Sequence, residues 1–202
     1  MDKITAILNA LNEFGYRICD DDLDELCDNF NDEIFYRSGA SRWCITSDDW
    51  DFVLKFPRYD DTRHNYCAKE LENYKSAQAY GISAILLPLE HIYTTSAGVE
   101  IYKQAKYSTT MSELTYEQER RLVKRVGTLT SRPIIDKCLA GCFDKWRISR
   151  LWLARVIQLY GKRFVSAFEA WTRECEVNDL HNSNIGFKDG KPIILDYAGY
   201  YG

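Results

Sequence analysis

Between Glu33 and Phe56 the apolar residues come in three short runs separated by polar turns, and that spacing constrains the fold more than any other feature of the chain. The runs are Ile34-Phe35-Tyr36, Trp43-Cys44-Ile45 and Phe52-Val53-Leu54-Lys55-Phe56, with Ser38-Gly39-Ala40-Ser41 and Ser47-Asp48-Asp49 between them. Runs this short, bounded by turn residues, form strands rather than helices, and connections this short join antiparallel neighbours. Pro57 closes the third strand. A helix is expected over about 62–80, with Cys67, Leu71, Tyr74 and Ala77 on one face and Gly81 as its stop. Ile85-Leu86-Leu87 and Val99-Glu100-Ile101-Tyr102 then read as the fourth and fifth strands.

Helical spacing frames this region. Ahead of it, Ile4, Ile7, Leu8, Leu11 and Phe14 recur at three- and four-residue intervals, and Asp20 introduces a second pattern of Leu23, Leu26, Cys27 and Phe30. Residues 1–32 are therefore read as a helical extension packed on the outside of the sheet, without a chemical role. Beyond residue 106 the chain is mainly helical, over about 116–126, 148–160 and 163–173, with Gly127 and Gly161 as breaks. Near the end, Ile185-Gly186-Phe187 and Pro192-Ile193-Ile194-Leu195 flank Lys188-Asp189-Gly190-Lys191, and Asp-Gly between two apolar runs is a strong hairpin signal.

Composition sets the outer bounds. With 202 residues, 46% of them hydrophobic, and only 4 Pro and 11 Gly, no linker separates two halves, so one core, single or bilobed, is expected, and the strands followed by helices read as the α+β class. The 26 basic and 30 acidic residues leave a net charge of −4, which provides no field for holding nucleic acid. Seven cysteines without repeated spacing fit a reducing cytoplasm better than a disulfide framework. The opening apolar pattern is broken by Asn9, Asn12 and Glu13, and no later run approaches the ~18 apolar residues of a span, so neither a signal peptide nor a membrane segment is expected.

The chemistry concentrates in Asn178-Asp179-Leu180-His181-Asn182-Ser183-Asn184, the hairpin after it, and Asp196-Tyr197-Ala198-Gly199. One carboxylate sits in a loop after a helix, a carboxamide follows five residues on, and a second carboxylate leaves an apolar strand. Such a set suits phosphoryl transfer: Asp179 can orient an attacking hydroxyl and receive its proton, while Asn184 and Asp196 offer hard oxygen ligands to Mg²⁺. Asp179 also has a plainer use as a turn residue.

These residues resemble the protein kinase-like superfamily, whose catalytic loop carries an Asp with an Asn five positions later and whose metal-binding Asp follows a short hairpin. The form D-L-H-x-x-N is similar to the aminoglycoside and choline kinase-like branches and to small kinase-like proteins of bacteria and phages. The resemblance implies a kinase-like fold, with a five-stranded antiparallel N-lobe over 33–106 and a truncated helical C-lobe over 107–202. It implies ATP and Mg²⁺ as cofactors. Lys55, at the end of the third strand, matches the lysine that holds the α- and β-phosphates, with Glu70 preferred over Glu72 as its partner because Glu70 lies beside the apolar stripe of its helix. The turn bearing Gly39 and Ser41, with Ser38 and Arg42 beside them, would contact phosphate. The segment Ile101 to Lys106 resembles the last strand and hinge, where backbone groups such as those of Gln104 and Lys106 would bind adenine. His181 stands where protein kinases place a phosphate-binding Lys; phosphate contact and holding the loop by hydrogen bonds both remain open for it.

The pattern also departs from the family. The first turn has one glycine where protein kinases have three, and Val177-Asn178 stands in place of His-Arg. Six residues follow Asp196, so no activation segment or peptide-docking helices are expected. Two function classes stay in view: a phosphotransferase acting on a hydroxyl of a small molecule or protein, and an inactive pseudokinase or nucleotide-binding module working through a partner that completes the C-lobe. Cys138 and Cys142 lack a second ligand pair and are not read as a zinc site, and Trp146, Trp152, Phe164, Phe168 and Trp171 are read as core.

Overall fold

The computed structural model describes residues 3–31, 33–39, 41–58, 65–107, 121, 150–177, 180 and 184–199. Among them the protein is mixed α+β, with a five-stranded antiparallel sheet and four α-helices. The chain divides into two compact units, Met1–Leu71 with Pro88–Tyr107 and Glu72–Leu87 with Ser108–Gly202. No helix among the described residues is long and apolar enough to cross a membrane.

The first unit contains α1 (Lys3–Glu13), α2 (Asp20–Asn29), β1 (Phe35–Ser38), β2 (Arg42–Thr46), β3 (Phe52–Pro57), the start of α3 (Tyr66–Ala79), β4 (Leu89–Thr94) and β5 (Glu100–Ala105). The sheet runs in the order β1-β2-β3-β5-β4. Side chains alternate between its faces. Trp43, Ile45, Leu54, Phe56 and Ile101 point to one face, where α1 adds Ile7 and Leu11 and α2 adds Leu23 and Leu26, all fully or almost fully buried. Each such side chain contributes about 1.5–3 kcal/mol on burial. The two N-terminal helices thus share the sheet's own core. Three aspartates, Asp20 to Asp22, open α2, where negative charge meets the positive end of the helix dipole, and Asp22 accepts the Cys19 N–H at 2.8 Å.

The opposite face is set by register. Cys44 pairs with Lys55, Lys55 with Tyr102, and Val53 with Gln104, so these residues project together. The first turns of α3 cover part of this face, Cys67 packing with Leu89 and Tyr102, and Ala68 and Leu71 beside them. Asn65 starts that helix: its Oδ1 accepts the Ala68 N–H at 3.0 Å.

The fourth strand is displaced from its expected place. Ser83–Ile85 is a short 3-10 helix, and Leu86 forms only an isolated bridge to Ile194. The strand is Leu89–Thr94, one residue past Pro88. Ile85, Leu86 and Leu87 form a conspicuous apolar run because they are buried. β4 is an edge strand that exposes Glu90, His91 and Thr94 and has a bulge between His91 and Tyr93, so its pattern is weak.

In the second unit, α4 (Arg150–Glu174) is interrupted at Gly161, whose φ of 80° and ψ of 177° only glycine adopts readily. The hairpin β6 (Ile185–Lys188) and β7 (Lys191–Ile194) turns through Asp189 and Gly190, with φ of 50° and 70°, the two positive values that a two-residue turn of this hand requires. Trp152, Phe168 and Trp171 are buried with Ile85, Ile194 and Tyr197, in line with their reading as core. Trp146, Cys138, Cys142 and, apart from Arg121, the helix expected over 116–126 lie outside the described residues.

Candidate functional site

In the first unit, Glu70 is the centre of a buried polar cluster. Its carboxylate is fully buried, and Lys55 and Arg42 are 7% and 9% exposed. Lys55 Nζ lies 3.3 Å from both Oε1 and Oε2 of Glu70. Arg42 Nη1 donates to Oε2 at 2.7 Å, and Gln104 Nε2 to Oε1 at 3.4 Å. A carboxylate withdrawn from water needs this many donors, since desolvation costs several kcal/mol per ion before pairing offsets it. No buried side-chain nitrogen or oxygen among the described residues lacks a hydrogen-bond partner.

Strand register explains the convergence. Arg42 and Cys44 are two residues apart on β2 and share a face, Cys44 is opposite Lys55 on β3, and Gln104 follows Tyr102 by two on β5. Glu70 is one turn beyond Cys67, which α3 packs on the same face. The helix partner of Lys55 is therefore Glu70, while Glu72 is exposed. Burial pushes the Cys67 thiol well above its usual range, the nearby Arg42 and Lys55 opposing this only in part. Tyr102 is likewise raised, first by burial and then by its bond to Glu100 Oε2 at 2.7 Å.

The turn and hinge residues are engaged in ways the sequence did not suggest. The Gly39 N–H donates to Arg42 O at 2.8 Å, closing the β1–β2 hairpin. Ser41 O accepts the Arg58 N–H at 3.0 Å, and Arg58 Nη1 reaches Gly39 O at 3.3 Å. Arg42, considered only as a turn cation, is directed to Glu70, and so is the Gln104 side chain. The Lys106 N–H donates to Asp51 O at 2.6 Å and its ammonium to Ser47 O at 2.8 Å. Both backbone donors, of Gly39 and Lys106, thus serve the sheet's own loops.

In the second unit, the hairpin determines where Asn184 and Asp196 stand. Ile185 pairs with Ile194, and one step beyond, the Leu195 N–H donates to Asn184 O at 2.7 Å. Asn184 and Asp196 therefore flank the open end of one hairpin, both half-buried. Asp196 Oδ1 accepts the Ala198 N–H at 3.3 Å, which turns the chain just after the strand. The hairpin is clamped from α4: Trp152 Nε1 lies 3.0 Å from Gly186 O and 3.2 Å from Ile193 O, and Arg155 Nε lies 2.9 Å from Gly190 O.

The segment after Asp196 is fixed as firmly. Asn73 Nδ2 donates to Tyr197 O at 2.7 Å, Tyr197 OH to Leu87 O at 2.6 Å, and Trp171 Nε1 to Asn73 O at 3.1 Å. Gly199 has φ of 82°, and a Cβ there would lie 2.3 Å from Glu176 O. Only a glycine permits that approach to the end of α4. Neither Asn73 nor Gly199 was singled out by spacing, because both act through contacts distant in sequence.

Asp179 and His181 lie outside the described residues. Among the described residues no group of three or more His, Cys, Asp and Glu side chains gathers that could hold a metal ion. Asn184 and Asp196 offer a carboxamide and a carboxylate, donors of the hard-oxygen kind that fits Mg²⁺, an ion bound by one or two protein ligands with phosphate and water completing its shell. Neither a scan against protein-family models nor a search of curated proteins yields a match to this chain.

Proposed function

We propose that the chain is a kinase-like phosphotransferase, dependent on ATP and Mg²⁺, that acts on a hydroxyl acceptor. The observation that carries this reading is the buried Lys55–Glu70 pair, a strand lysine held by a helix carboxylate on one face of a five-stranded antiparallel sheet. The adjacency of Asn184 and Asp196 at the open end of the hairpin supports it. In this reading Lys55 holds phosphate oxygens, and Asn184 and Asp196 hold Mg²⁺. The bound ion supplies neutralisation of phosphate charge. Asp179 orients the acceptor hydroxyl and takes its proton, and His181 steadies the loop or touches phosphate. The reading extends to a reducing cytoplasm, for which Cys19, Cys27, Cys44, Cys67 and Cys175 as free thiols speak.

The alternative is a nucleotide-binding module without transfer, and under either reading the Gly39 and Lys106 N–H groups, expected on the nucleotide, are engaged within the sheet and leave its contacts to other groups. The experiment is incubation of the full chain with labelled ATP, Mg²⁺ and cell lysate, with labelled protein separated from labelled metabolites. Transfer lost in Lys55→Met and Asp196→Asn supports the enzyme. Mg-ATP binding by calorimetry with nothing labelled supports the binding module, which would then act through a partner protein. Absence of Mg-ATP binding removes both.

A further inference from the structure

The four groups of the Glu70 cluster are not equivalent. Glu70 Oε2 receives Arg42 at 2.7 Å, a closer contact than those of Lys55, equidistant from both oxygens at 3.3 Å, and Gln104, which reaches Oε1 at 3.4 Å. A guanidinium is planar and directional, and an ammonium is a compact point charge that follows wherever the carboxylate is presented. The donor that sets the rotation of the Glu70 carboxylate is therefore Arg42. Its own position is anchored by β2: the Arg42 carbonyl accepts the Gly39 N–H at 2.8 Å, and Arg42 pairs in register with Pro57 at the end of the strand that carries Lys55.

We infer that Arg42 is a positioning residue, which orients Glu70 toward Lys55 and acts on Lys55 through Glu70 rather than by its own charge. The pair is thereby held assembled by β2 as well as by α3. In giving Lys55 a polyphosphate to hold, the inference rests on the reading above; the division of labour within the cluster does not.

The test is a double-mutant cycle on the full chain, read by trace acetylation of lysines with acetic anhydride and peptide mass spectrometry, with exposed Lys75 as internal reference. In the wild type Lys55 labels slowly. Arg42→Gln loosens the cluster and raises Lys55 labelling about threefold or more, Glu70→Gln raises it at least as much, and the double variant labels no faster than Glu70→Gln alone, the non-additivity expected of residues acting as a unit. Unchanged labelling in Arg42→Gln overturns the inference. So does an Arg42→Gln effect of the same factor in the Glu70→Gln background, which is what direct charge or simple packing would give. If Arg42→Gln does not fold, Arg42→Lys completes the cycle, with labelling intermediate between wild type and Glu70→Gln and no added effect in the double variant. A second arm measures Mg-ATP affinity, which Arg42→Gln should weaken about tenfold only while Glu70 is present. Non-additive labelling in a protein that binds no Mg-ATP removes the kinase reading and leaves Arg42 assigned; additive labelling in a protein that binds Mg-ATP does the reverse.

Discussion

The Glu70 cluster and the hairpin bearing Asn184 and Asp196 solve the same problem, fixing polar groups at a defined place, by opposite means. In the first, two cations and a carboxamide from three strands meet on one helix carboxylate, and the backbone only supplies register. In the second, the backbone itself is the object held: indole, guanidinium and carboxamide donors reach carbonyls of the hairpin and of the segment after it. The first arrangement is sensitive to losing a side chain, the second to gaining one.

That contrast can be broken most directly at Glu70. Glu70→Ala leaves Arg42 and Lys55 buried without their shared carboxylate and should destabilise the first unit by about 3–5 kcal/mol; a loss below about 1 kcal/mol in urea unfolding would mean that the pair is not buried in solution. Gly199→Ala is the mirror experiment. It adds one methyl group at a positive φ against the Glu176 carbonyl and should cost about 3 kcal/mol. Ordinary stability in that variant would show that the end of α4 does not pack on Gly199.

Alkaline pH sharpens the comparison, because the first unit buries Cys67 and Tyr102. Their folded pKa values lie above the ordinary 9.0 and 10.0, in each case chiefly through burial. A raised folded value means a contribution fully present below the unfolded pKa and lost as pH rises toward the folded one. Stability should therefore be flat up to about pH 9 and then fall, by up to about 1.4 kcal/mol per pH unit for each group. Urea midpoints at pH 7, 9 and 10.5 read this, and Cys67→Ala should delay the onset toward pH 10; a midpoint that rises between pH 9 and 10.5 would contradict it. The smallest effect is expected at Gly39. It is exposed, lacks a positive φ, and a Cβ there meets only Arg42 O at 3.6 Å, so Gly39→Ala should shift stability by under about 0.5 kcal/mol. A large loss would reveal a backbone demand at this turn.

What the sequence disclosed and what it hid follow the same division. Short apolar runs separated by polar turns were enough to locate β1, β2 and β3, and Asp189-Gly190 announced its hairpin, because both signals are local. Glu70 could be preferred over Glu72 from helical phase alone. The fourth strand was obscured because Ile85 to Leu87 look more strand-like than the half-exposed Leu89–Thr94. Arg42 was legible only in part: its place two residues before Cys44 was readable, but its direction depends on the register of β2 against β3. Gln104 was read as a backbone contact and proves to be a side-chain donor. Gly199 was read only as part of the segment after Asp196 and Asn73 not at all, since their reasons are a carbonyl 23 residues away in one case and a loop more than a hundred residues away in the other.

The bulge in β4 matters beyond its displacement of the strand. An outer strand offers a row of unpaired backbone groups on which another chain can crystallise into an extended sheet. Here pairing runs through Leu89, Glu90 and His91, shifts, and resumes for only Tyr93 and Thr94. A foreign strand laid along this margin would meet interrupted spacing and an exposed carboxylate at Glu90 before it could form a third or fourth rung. At the other margin β1 is only four residues long and exposes Arg37. Both borders of the sheet are thereby made poor templates for fibril growth, a protection against self-association written into the backbone.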